Sequence, residues 1–361
     1  MKRIILMMVA VCMASLTGYG VAQLSSISPV AMTTMTGAAP LDAALVTPTF
    51  GWVLTPDQLF TSHDGGHTFS AVDVPIPAGT ARAAHFATPE TGIVTASSGQ
   101  SLTMARTTDG GRTWRTTAVS GAAPARAGYS SLNISFGDDA YGAVLARAAT
   151  SQAFSLATIF ITTDGGTSWS AHPAPEAGVV RVEPGGRIWL AGATLNSSTD
   201  HGRHWSPSAL ALAGPVTAAT VSPPTATTLP VTVLVGDRTE VQLLTTTGGG
   251  HSWGDPTRLP VHGRTGPGVR LAVTDTPSGP VVYDTVAGHA YRQTGTDLRP
   301  SGLTDGVQSV TFTSDNRTGW ALAGHGTCGA NKRNCSYHHN LLVTTDGGAT
   351  WRTAATWNHQ I

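Results

Sequence analysis

Short apolar segments that alternate with polar positions recur along the whole chain, and clusters of Gly, Thr, Asp and Pro separate them. Phe50–Leu54 and Thr318–Leu322 are the clearest segments, and each contains a Gly-Trp pair. An apolar period of three to four residues, as in a helix, is hard to find. Because strand side chains alternate between two faces, the pattern predicts an all-β chain of short strands and many tight turns.

One turn-forming motif recurs along the chain and organises this pattern. Its last copy reads Thr-Thr-Asp-Gly-Gly-Ala-Thr-Trp and follows the apolar segment Leu341–Val343. Phe69 replaces the Trp in the first copy, His204 replaces the hydroxyl residue in the fourth, and Gly248 replaces the Asp in the fifth. The six copies, which we call box turns, are Ser62–Phe69, Thr107–Trp114, Thr162–Trp169, Ser198–Trp205, Thr246–Trp253 and Thr344–Trp351.

Physical chemistry explains these residue types at this spacing. An aspartate in a tight turn accepts hydrogen bonds from the backbone N–H groups that follow it, and the second glycine tolerates the positive φ that closes the turn. The Ser or Thr hydroxyls satisfy other turn groups, and the Trp brings a large apolar side chain to the next strand. Each box turn is therefore predicted to be a hairpin corner. The aspartates with this architectural role are Asp64, Asp109, Asp164, Asp200 and Asp346.

The spacing of the box turns predicts the architecture. Successive copies are 45, 55, 36 and 48 residues apart, and 98 residues separate Gly248 from Asp346. That last gap holds a degenerate unit without a box turn, in which Thr294–Asp297 takes its place. The strands of this unit are predicted at Val269–Val273, Pro280–Tyr283 and Ala290–Gln293. Seven four-strand units with a period of roughly 45 residues predict a seven-bladed β-propeller. A six-bladed ring and a solenoid are the alternatives.

The motif Ser/Thr-x-Asp-x-Gly-x-Ser/Thr-Trp resembles the Asp-box, or bacterial neuraminidase repeat, of β-propellers. Such propellers occur in sialidases, sortilin-type receptors and photosystem II assembly factor-like proteins. The Thr-Thr-Asp-Gly-Gly-x-Thr-Trp form and the Gly-Trp segments are most similar to the last of these branches. The resemblance implies that each box joins the third and fourth strands of a blade, on the rim opposite the ligand-binding mouth. The mouth is then built by the connections between second and third strands and between blades.

The N-terminus has the pattern of a secretory signal. A basic pair precedes an apolar run from Ile4 to about Leu16, which is shorter than the ~20 residues that span a bilayer. We expect residues 1–22 to be a signal peptide that ends in a small-x-small cleavage site. Residues 23–40 are then a linker, or at best a short strand that helps to close the ring, and residues 41–361 form the propeller.

The cysteines and the charge agree with an exported protein. Cys12 lies in the signal, and Val11 does not fit the motif for lipid attachment. Cys328 and Cys335 would close a short loop, which predicts a disulfide in an exported chain; a metal or redox role would need a different spacing. Only 12% of residues are charged and the net charge is zero, so nothing indicates nucleic-acid binding. We expect a monomer without a cofactor.

The mouth loops carry the residues that could contact a ligand, although most polar loop residues are merely solvated. Tyr129, His262 and Asp305 also fall on predicted mouth loops. The candidates for the ligand-binding face are Arg126, Arg147, Glu176, Arg238, Arg264 and Tyr337. The weak catalytic candidates are Asp57, Asp237 and Glu240, of which the last two share one loop.

A metal site is not expected. His325, His338 and His339 share the insertion Gly324–Asn340, but no carboxylate lies near them in sequence and adjacent histidines of an extended strand point to opposite sides. Asp138 follows a first strand and is expected to shape the turn there.

The sialidase branch is the sharpest enzyme hypothesis, and the chain departs from it. A sialidase of this kind carries an Arg-Ile-Pro signature before its first box, whereas no Arg-Ile here is followed by Pro: Trp189 follows Arg187-Ile188, and Ile5 follows Arg3-Ile4 in the expected signal. The sequence therefore favours a secreted, non-catalytic scaffold that binds an extracellular protein or a cell-wall glycan. An exported glycoside hydrolase is the alternative, since it needs only two carboxyl groups ~5 to 10 Å apart.

Overall fold

The computed structural model describes residues 33–360, except 36–37, 80, 100, 122–127, 149–155, 193, 209–215, 222–228, 236–239, 247–251, 256, 261–270, 277–278, 285–289, 295–296, 304–305, 316 and 329–334. The expected signal peptide and Cys12 lie outside the described residues. The described residues belong to one compact unit that covers Ala31–Ile361.

Within these residues the secondary structure is entirely β, as the sequence predicts, and the strands form seven sheets that we number in chain order. A short strand, β1 (Thr33–Met35), precedes them. Sheet 1 consists of β2 (Asp42–Leu45), β3 (Gly51–Leu54), β4 (Leu59–Ser62) and β5 (Ser70–Val72). Sheet 2 consists of β6 (Arg82–Phe86), β7 (Gly92–Ser98), β8 (Ser101–Thr107) and β9 (Arg115–Ser120). Sheet 3 consists of β10 (Tyr129–Phe136), β11 (Gly142–Ala148), β12 (Ala157–Thr162) and β13 (Ser170–Pro173).

The remaining sheets repeat this order. Sheet 4 consists of β14 (Val179–Val182), β15 (Ile188–Ala191), β16 (Leu195–Ser198) and β17 (Ser206–Pro207). Sheet 5 consists of β18 (Val216–Val221), β19 (Leu229–Val235), β20 (Glu240–Thr246) and β21 (Thr257–Pro260). Sheet 6 consists of β22 (Leu271–Thr276), β23 (Gly279–Asp284), β24 (Ala290–Thr294) and β25 (Asp297–Pro300). Sheet 7 consists of β26 (Val307–Phe312), β27 (Gly319–Cys328), β28 (Cys335–Thr344) and β29 (Arg352–Gln360).

Sheets 1 to 6 are antiparallel meanders in which each strand pairs with the next in sequence. Sheet 7 has a fifth strand, because β1 pairs with β29 in parallel, with Thr33 opposite Ala355 and Met35 opposite Trp357. The sequence predicts a linker, or at best a short strand, in residues 23–40, and the structure has a strand there at Thr33–Met35. In sheet 6, whose box turn is degenerate, the strands lie within a few residues of the predicted positions.

The core consists of apolar layers between consecutive sheets. One layer joins sheet 1 to sheet 7, with Leu45 and Val53 from sheet 1 against Trp320, Leu341 and Trp357 from sheet 7. Similar layers lie between sheets 1 and 2, 2 and 3, 3 and 4, and 6 and 7. A fully buried Trp removes roughly 150 to 250 Å² from water, which is worth about 4 to 6 kcal/mol before the entropy of ordering. Because each sheet buries its faces on its neighbours, no single sheet could fold alone.

Side chains of some first strands also bond the backbone of a neighbouring first strand. Asn133 Oδ1 on β10 accepts a hydrogen bond from the Val180 amide at 2.8 Å, and Ser135 Oγ accepts one from the Val182 amide at 3.1 Å. The Leu45 amide of sheet 1 donates to Thr311 Oγ1 of sheet 7 at 3.0 Å. A first strand lies at the edge of its sheet, so these bonds satisfy amides that the sheet leaves unpaired.

The meander order divides the turns between two edges of the molecule. Antiparallel strands reverse direction at every step, so the turns from first to second strand and the box turns from third to fourth strand share one edge, the box edge. Connections from second to third strands, and from one sheet to the next, share the other edge, the mouth edge.

The hairpin of β27 and β28 is longer than β26. The pairing of β26 with β27 ends at Ala323, whereas the pairing of β27 with β28 continues to Cys328 opposite Cys335. We call the projecting residues, Gly324–Cys328 and Cys335–His339, the hairpin arm. It lies at the mouth edge.

Candidate functional site

The box-turn aspartates hold the backbone of their turns, as Asp109 illustrates. Asp109 Oδ1 accepts hydrogen bonds from the Thr107 hydroxyl at 2.8 Å and the Thr113 amide at 2.9 Å, and Oδ2 accepts one from the Thr113 hydroxyl at 2.6 Å. The Thr107 hydroxyl oxygen accepts the amide of Gly111, which has a φ of +86°. The Thr113 hydroxyl and amide, followed by Thr107, lower the pKa of Asp109 to about 2.

The same bonds recur in the other described box turns with an aspartate, at Asp64, Asp164, Asp200 and Asp346. In the fourth box turn, His204 Nδ1 lies 2.6 Å from Asp200 Oδ2, whereas a Ser or Thr hydroxyl contacts this carboxylate oxygen in the other box turns. The Thr350 hydroxyl and amide hold the pKa of Asp346 well below its usual range. Since their oxygens are engaged, these carboxylates keep the turns closed.

A related turn at Asp315, between β26 and β27, escaped the sequence reasoning. Its Oδ1 accepts the Thr313 hydroxyl at 2.7 Å and the Thr318 amide at 2.9 Å, and its Oδ2 accepts the Thr318 hydroxyl at 2.8 Å. The amides of Thr318 and Arg317 are the main reason that the pKa of Asp315 is strongly lowered. The signal was present as Thr-x-Asp-x-x-Thr before a Gly-Trp strand. Asp138 shapes the equivalent turn of sheet 3, where its Oδ1 accepts the amides of Ala140 and Tyr141.

One predicted ligand-face residue lines a cavity on the mouth edge, and a second lies next to that lining in sequence. Arg147, the last residue but one of β11, lines a cavity of about 220 Å³ between sheets 3 and 4, to which Ala177 and Gly178 also contribute. Glu176 precedes these two residues. Its carboxylate accepts the Thr194 hydroxyl at 2.5 Å and the Asn196 side-chain amide at 2.9 Å. Glu176 therefore ties the connection before sheet 4 to the turn between β15 and β16.

Asp57 lies in the turn between β3 and β4, beside a buried arginine from sheet 2. Asp57 Oδ1 accepts the Thr55 hydroxyl at 2.7 Å, and Arg82 Nη1 donates to the Thr55 carbonyl at 3.0 Å. Only 5% of Arg82 is exposed. Burial lowers the pKa of Arg82, and the Asp57 charge opposes that effect. Nothing in the sequence singles out Arg82, because burial at the start of a strand depends on the neighbouring sheet.

The other mouth candidates do not add to a binding surface in the described part of the chain. Tyr129 packs edge-on against Phe160 and is 7% exposed, so it belongs to the core and not to a binding surface. Glu240 begins β20, but its side chain is not described. The candidates outside the described residues are Arg126, Asp237, Arg238, His262, Arg264 and Asp305.

Charged groups from first strands of several sheets interact with one another. Asp42 of sheet 1 retains access to solvent, yet the surrounding protein raises its pKa to about 6, opposed by the Ala43 amide and by the positive charge of Arg181 on sheet 4. Burial, followed by the charge of Arg181, lowers the pKa of His85 on sheet 2 to about 4. The His85 ring stacks on the Phe136 ring, with the two centroids 5.1 Å apart. Arg181 thus influences two other first strands at once.

The hairpin arm carries the histidines and Tyr337. The rings of His325 and His338 lie opposite each other with centroids 5.4 Å apart, and His338 Nδ1 is 2.7 Å from the Asn358 side-chain oxygen. His339 is buried, whereas His325 is exposed. Among the described residues, no group of three or more His, Cys, Asp or Glu side chains is arranged to hold a metal ion. Across the same part of the chain, no helix is long and apolar enough to cross a membrane.

Comparisons with known proteins identify the fold. The chain matches no protein-family model, and no curated protein matches its sequence. It is similar to the structure of YCF48 bound to a D1 peptide, with 16% identity and a TM-score of 0.56, over 80% of this chain and 90% of that chain. The chain has a β-propeller fold.

Two further structures are similar at lower scores. YCF48 from Cyanidioschyzon merolae is 17% identical, with a TM-score of 0.36, over 88% of this chain and 85% of that chain. A GH74 xyloglucanase from Xanthomonas campestris is 17% identical, with a TM-score of 0.49, and this chain covers 44% of its length. At these identities the similarity concerns the fold and not the activity.

Proposed function

We propose that the chain is an exported, monomeric, seven-bladed β-propeller that acts as a non-catalytic scaffold and binds a segment of an extracellular protein. Contacts between consecutive sheets, together with those of β2 with β26 and β27, support a closed ring of seven blades. The signal pattern in residues 1–22 supports export. The structure of YCF48 bound to a D1 peptide supports a peptide ligand for this propeller.

The open edge of the hairpin arm is the observation that carries this proposal. The Gly324 amide donates to the Gly306 carbonyl on the β26 side, and beyond it β27 has no described partner strand on that side. Backbone groups of alternate residues point the same way, so the Gly326 amide and carbonyl face this open edge. An extended peptide can add to such an edge through main-chain hydrogen bonds, while nearby side chains select its sequence.

The arm has features that suit this role. His325, Gly326 and Thr327 are exposed, and the Tyr337 ring packs over Gly326, which lacks a side chain. Cys328 lies directly opposite Cys335 in the register, and we propose that a disulfide between them fixes the end of the arm. A rigid edge loses less entropy when a peptide binds.

The test uses the chain from residue 23 onward to select binders from a random peptide library. For a selected peptide we expect exchange of the Gly326 amide hydrogen to slow on binding, and Tyr337→Ala to weaken affinity about tenfold or more. Thr345→Ala, an exposed change in the last box turn, is the matched control and should leave the affinity unchanged. If Tyr337→Ala binds the peptide as tightly as the wild type does, and the peptide does not slow exchange of the Gly326 amide hydrogen, then the hairpin arm is not the binding site.

The alternative is an exported glycoside hydrolase. The weak catalytic candidate with a described side chain, Asp57, is bonded to Thr55, and the ligand-face candidate Glu176 is bonded to Thr194 and Asn196, so both carboxylates already serve neighbouring turns. Incubation with xyloglucan and with sialylated glycans distinguishes the two functions. Release of sugar products by the pure protein would contradict a non-catalytic scaffold.

A further inference from the structure

Two arginines face each other across the strands that flank the second box turn. Arg106 is the last residue but one of β8, Arg115 begins β9 after the turn, and the register places them directly opposite each other. Directly opposed residues point to the same face of a sheet with Cβ atoms roughly 4.5 to 5.5 Å apart, and like charges there are destabilising. Arg106 Nε donates to the Gly165 carbonyl of sheet 3 at 2.7 Å, so this face points towards sheet 3.

The box turn itself does not require this pair. Four other box turns have the same register, but none has arginine at both flanking positions. Their pairs are Thr61 with Ser70, Ile161 with Ser170, Ser197 with Ser206 and Val343 with Arg352. The two arginines are thus a local feature of sheet 2.

Within the described residues, neither arginine forms an ion pair with an acidic side chain, whereas Arg187 pairs with Glu183 and His204 pairs with Asp200. Asp138 and Asp139 line a separate cavity that Arg106 also borders. Asp109, in the intervening turn, uses its oxygens on Thr107 and Thr113. Arg115 is exposed, so water screens part of the repulsion between the two positive charges, and an anion between them would reduce it further.

The arginines border a cavity at the box edge between sheets 2 and 3. Its volume is about 440 Å³, and Thr108, Thr113 and Thr167 also line it. This volume is within the ~300 to 1,000 Å³ of typical small-molecule sites. It is far larger than a bare ion needs, and hydroxyl groups around it can bond the hydroxyls of a sugar.

We propose that this cavity binds an acidic saccharide, whose oxyanion lies between Arg106 and Arg115 and whose ring contacts the threonines. Two guanidinium groups present paired N–H donors that match the oxygens of a carboxylate or a phosphate ester. The anion would also relieve the repulsion between the arginines. The cavity lies on the box edge, so it is separate from the hairpin arm and does not rest on peptide binding.

The test measures binding of galacturonic acid and glucose 6-phosphate to the protein by NMR titration at fixed ionic strength, with glucose and inorganic phosphate as comparison probes. We expect at least one acidic sugar to bind the wild type, and Arg115→Gln to weaken that binding about tenfold or more. The wild type should bind glucose no more tightly than the Arg115→Gln variant binds the acidic sugar.

Arg112→Gln is the matched control, because Arg112 is exposed in the same turn but does not line the cavity. It makes the same change in charge and should leave binding within about twofold. The thermal midpoint of Arg115→Gln should equal or exceed that of the wild type, since the like-charge pair is removed. Equal weakening by both variants, no binding of either acidic sugar, or inorganic phosphate binding as tightly as the sugars would each overturn the proposal.

Discussion

At the scale of single residues, charge has two uses in this protein. The box-turn carboxylates satisfy backbone amides and hydroxyls at the molecular surface, where water screens them. Asp42, His85 and Arg181 instead interact across first strands, where the surrounding protein alters the pKa values of Asp42 and His85. A change in the first group should therefore affect a local turn, whereas a change in the second should alter how stability depends on pH.

Asp164→Ala tests the first group. Asp164 accepts the Ser168 amide at 2.8 Å, the Ser168 hydroxyl at 2.6 Å and the Thr162 hydroxyl at 2.8 Å. Losing these bonds should lower the free energy of unfolding by about 1 to 3 kcal/mol, towards the low end because water can replace them. Urea denaturation measures the change. Thr163→Ala, at the exposed neighbouring position, is the control, and equal losses in both variants would contradict the turn-closing role.

Asp42 and His85 should affect the pH dependence of stability in opposite directions. The folded state holds the Asp42 proton up to about pH 6, so its contribution to stability falls as the pH rises from about 4 to 6. The folded pKa of His85 is about 4, below the usual 6.5, so its contribution rises between these values. Because the two slopes have opposite signs, each reduces the effect of the other on the wild type in this range.

Two variants separate these contributions. Asp42→Asn should leave the His85 slope, so stability should increase with pH, and His85→Gln should leave the opposite slope. Each change should amount to about 1 to 2 kcal/mol, less for Asp42 because solvent reaches its carboxyl group. Urea midpoints measured from pH 4 to 7 test this, and parallel profiles for the two variants would refute the assignment.

At the scale of elements, the added strand β1 and the hairpin arm distinguish sheet 7 from the other sheets. Met35 of β1 is half-buried and packs on the apolar layer that contains Trp357. Met35→Ala should therefore lower the free energy of unfolding by about 1 to 2 kcal/mol, which a thermal or urea transition would measure. An unchanged transition would mean that β1 does not contribute to sheet 7 in solution.

The proposed disulfide in the hairpin arm can be tested separately. If Cys328 and Cys335 form the proposed disulfide, the intact mass of the exported protein should be two hydrogens below that of the reduced protein. Labelling of both thiols without prior reduction would exclude the bond.

Much of the fold could be predicted at this scale, because the repeated turns mark strand ends. The box turns predicted the positions of the third and fourth strands of the sheets that contain them, and the Gly-Trp pairs predicted second strands such as β3. Asp315 and Arg82 were missed for different reasons. The Asp315 turn departs from the spacing of the repeat, and the burial of Arg82 arises only from packing between sheets. Arg106 and Arg115 were present in the sequence, but their significance needs the register and the cavity.

At the scale of the whole molecule, the two edges divide the proposed roles. The mouth edge carries the hairpin arm and the cavity at Arg147, and the box edge carries the cavity at Arg106 and Arg115. A ligand on one edge therefore leaves the other accessible. Such an arrangement would allow one scaffold to hold a peptide and a saccharide at the same time.

The pairing of β1 with β29 also constrains how the protein assembles. Thr33 and Ala355 are 322 residues apart, and bringing two such distant points together costs on the order of 5 kcal/mol in chain entropy. During synthesis β1 is made first, whereas its partner strand β29 is made last. Long-range contacts of this kind slow folding. The complete molecule therefore forms only after its C-terminal strand has been released, and a chain cut short before β29 would leave its first strand without a partner.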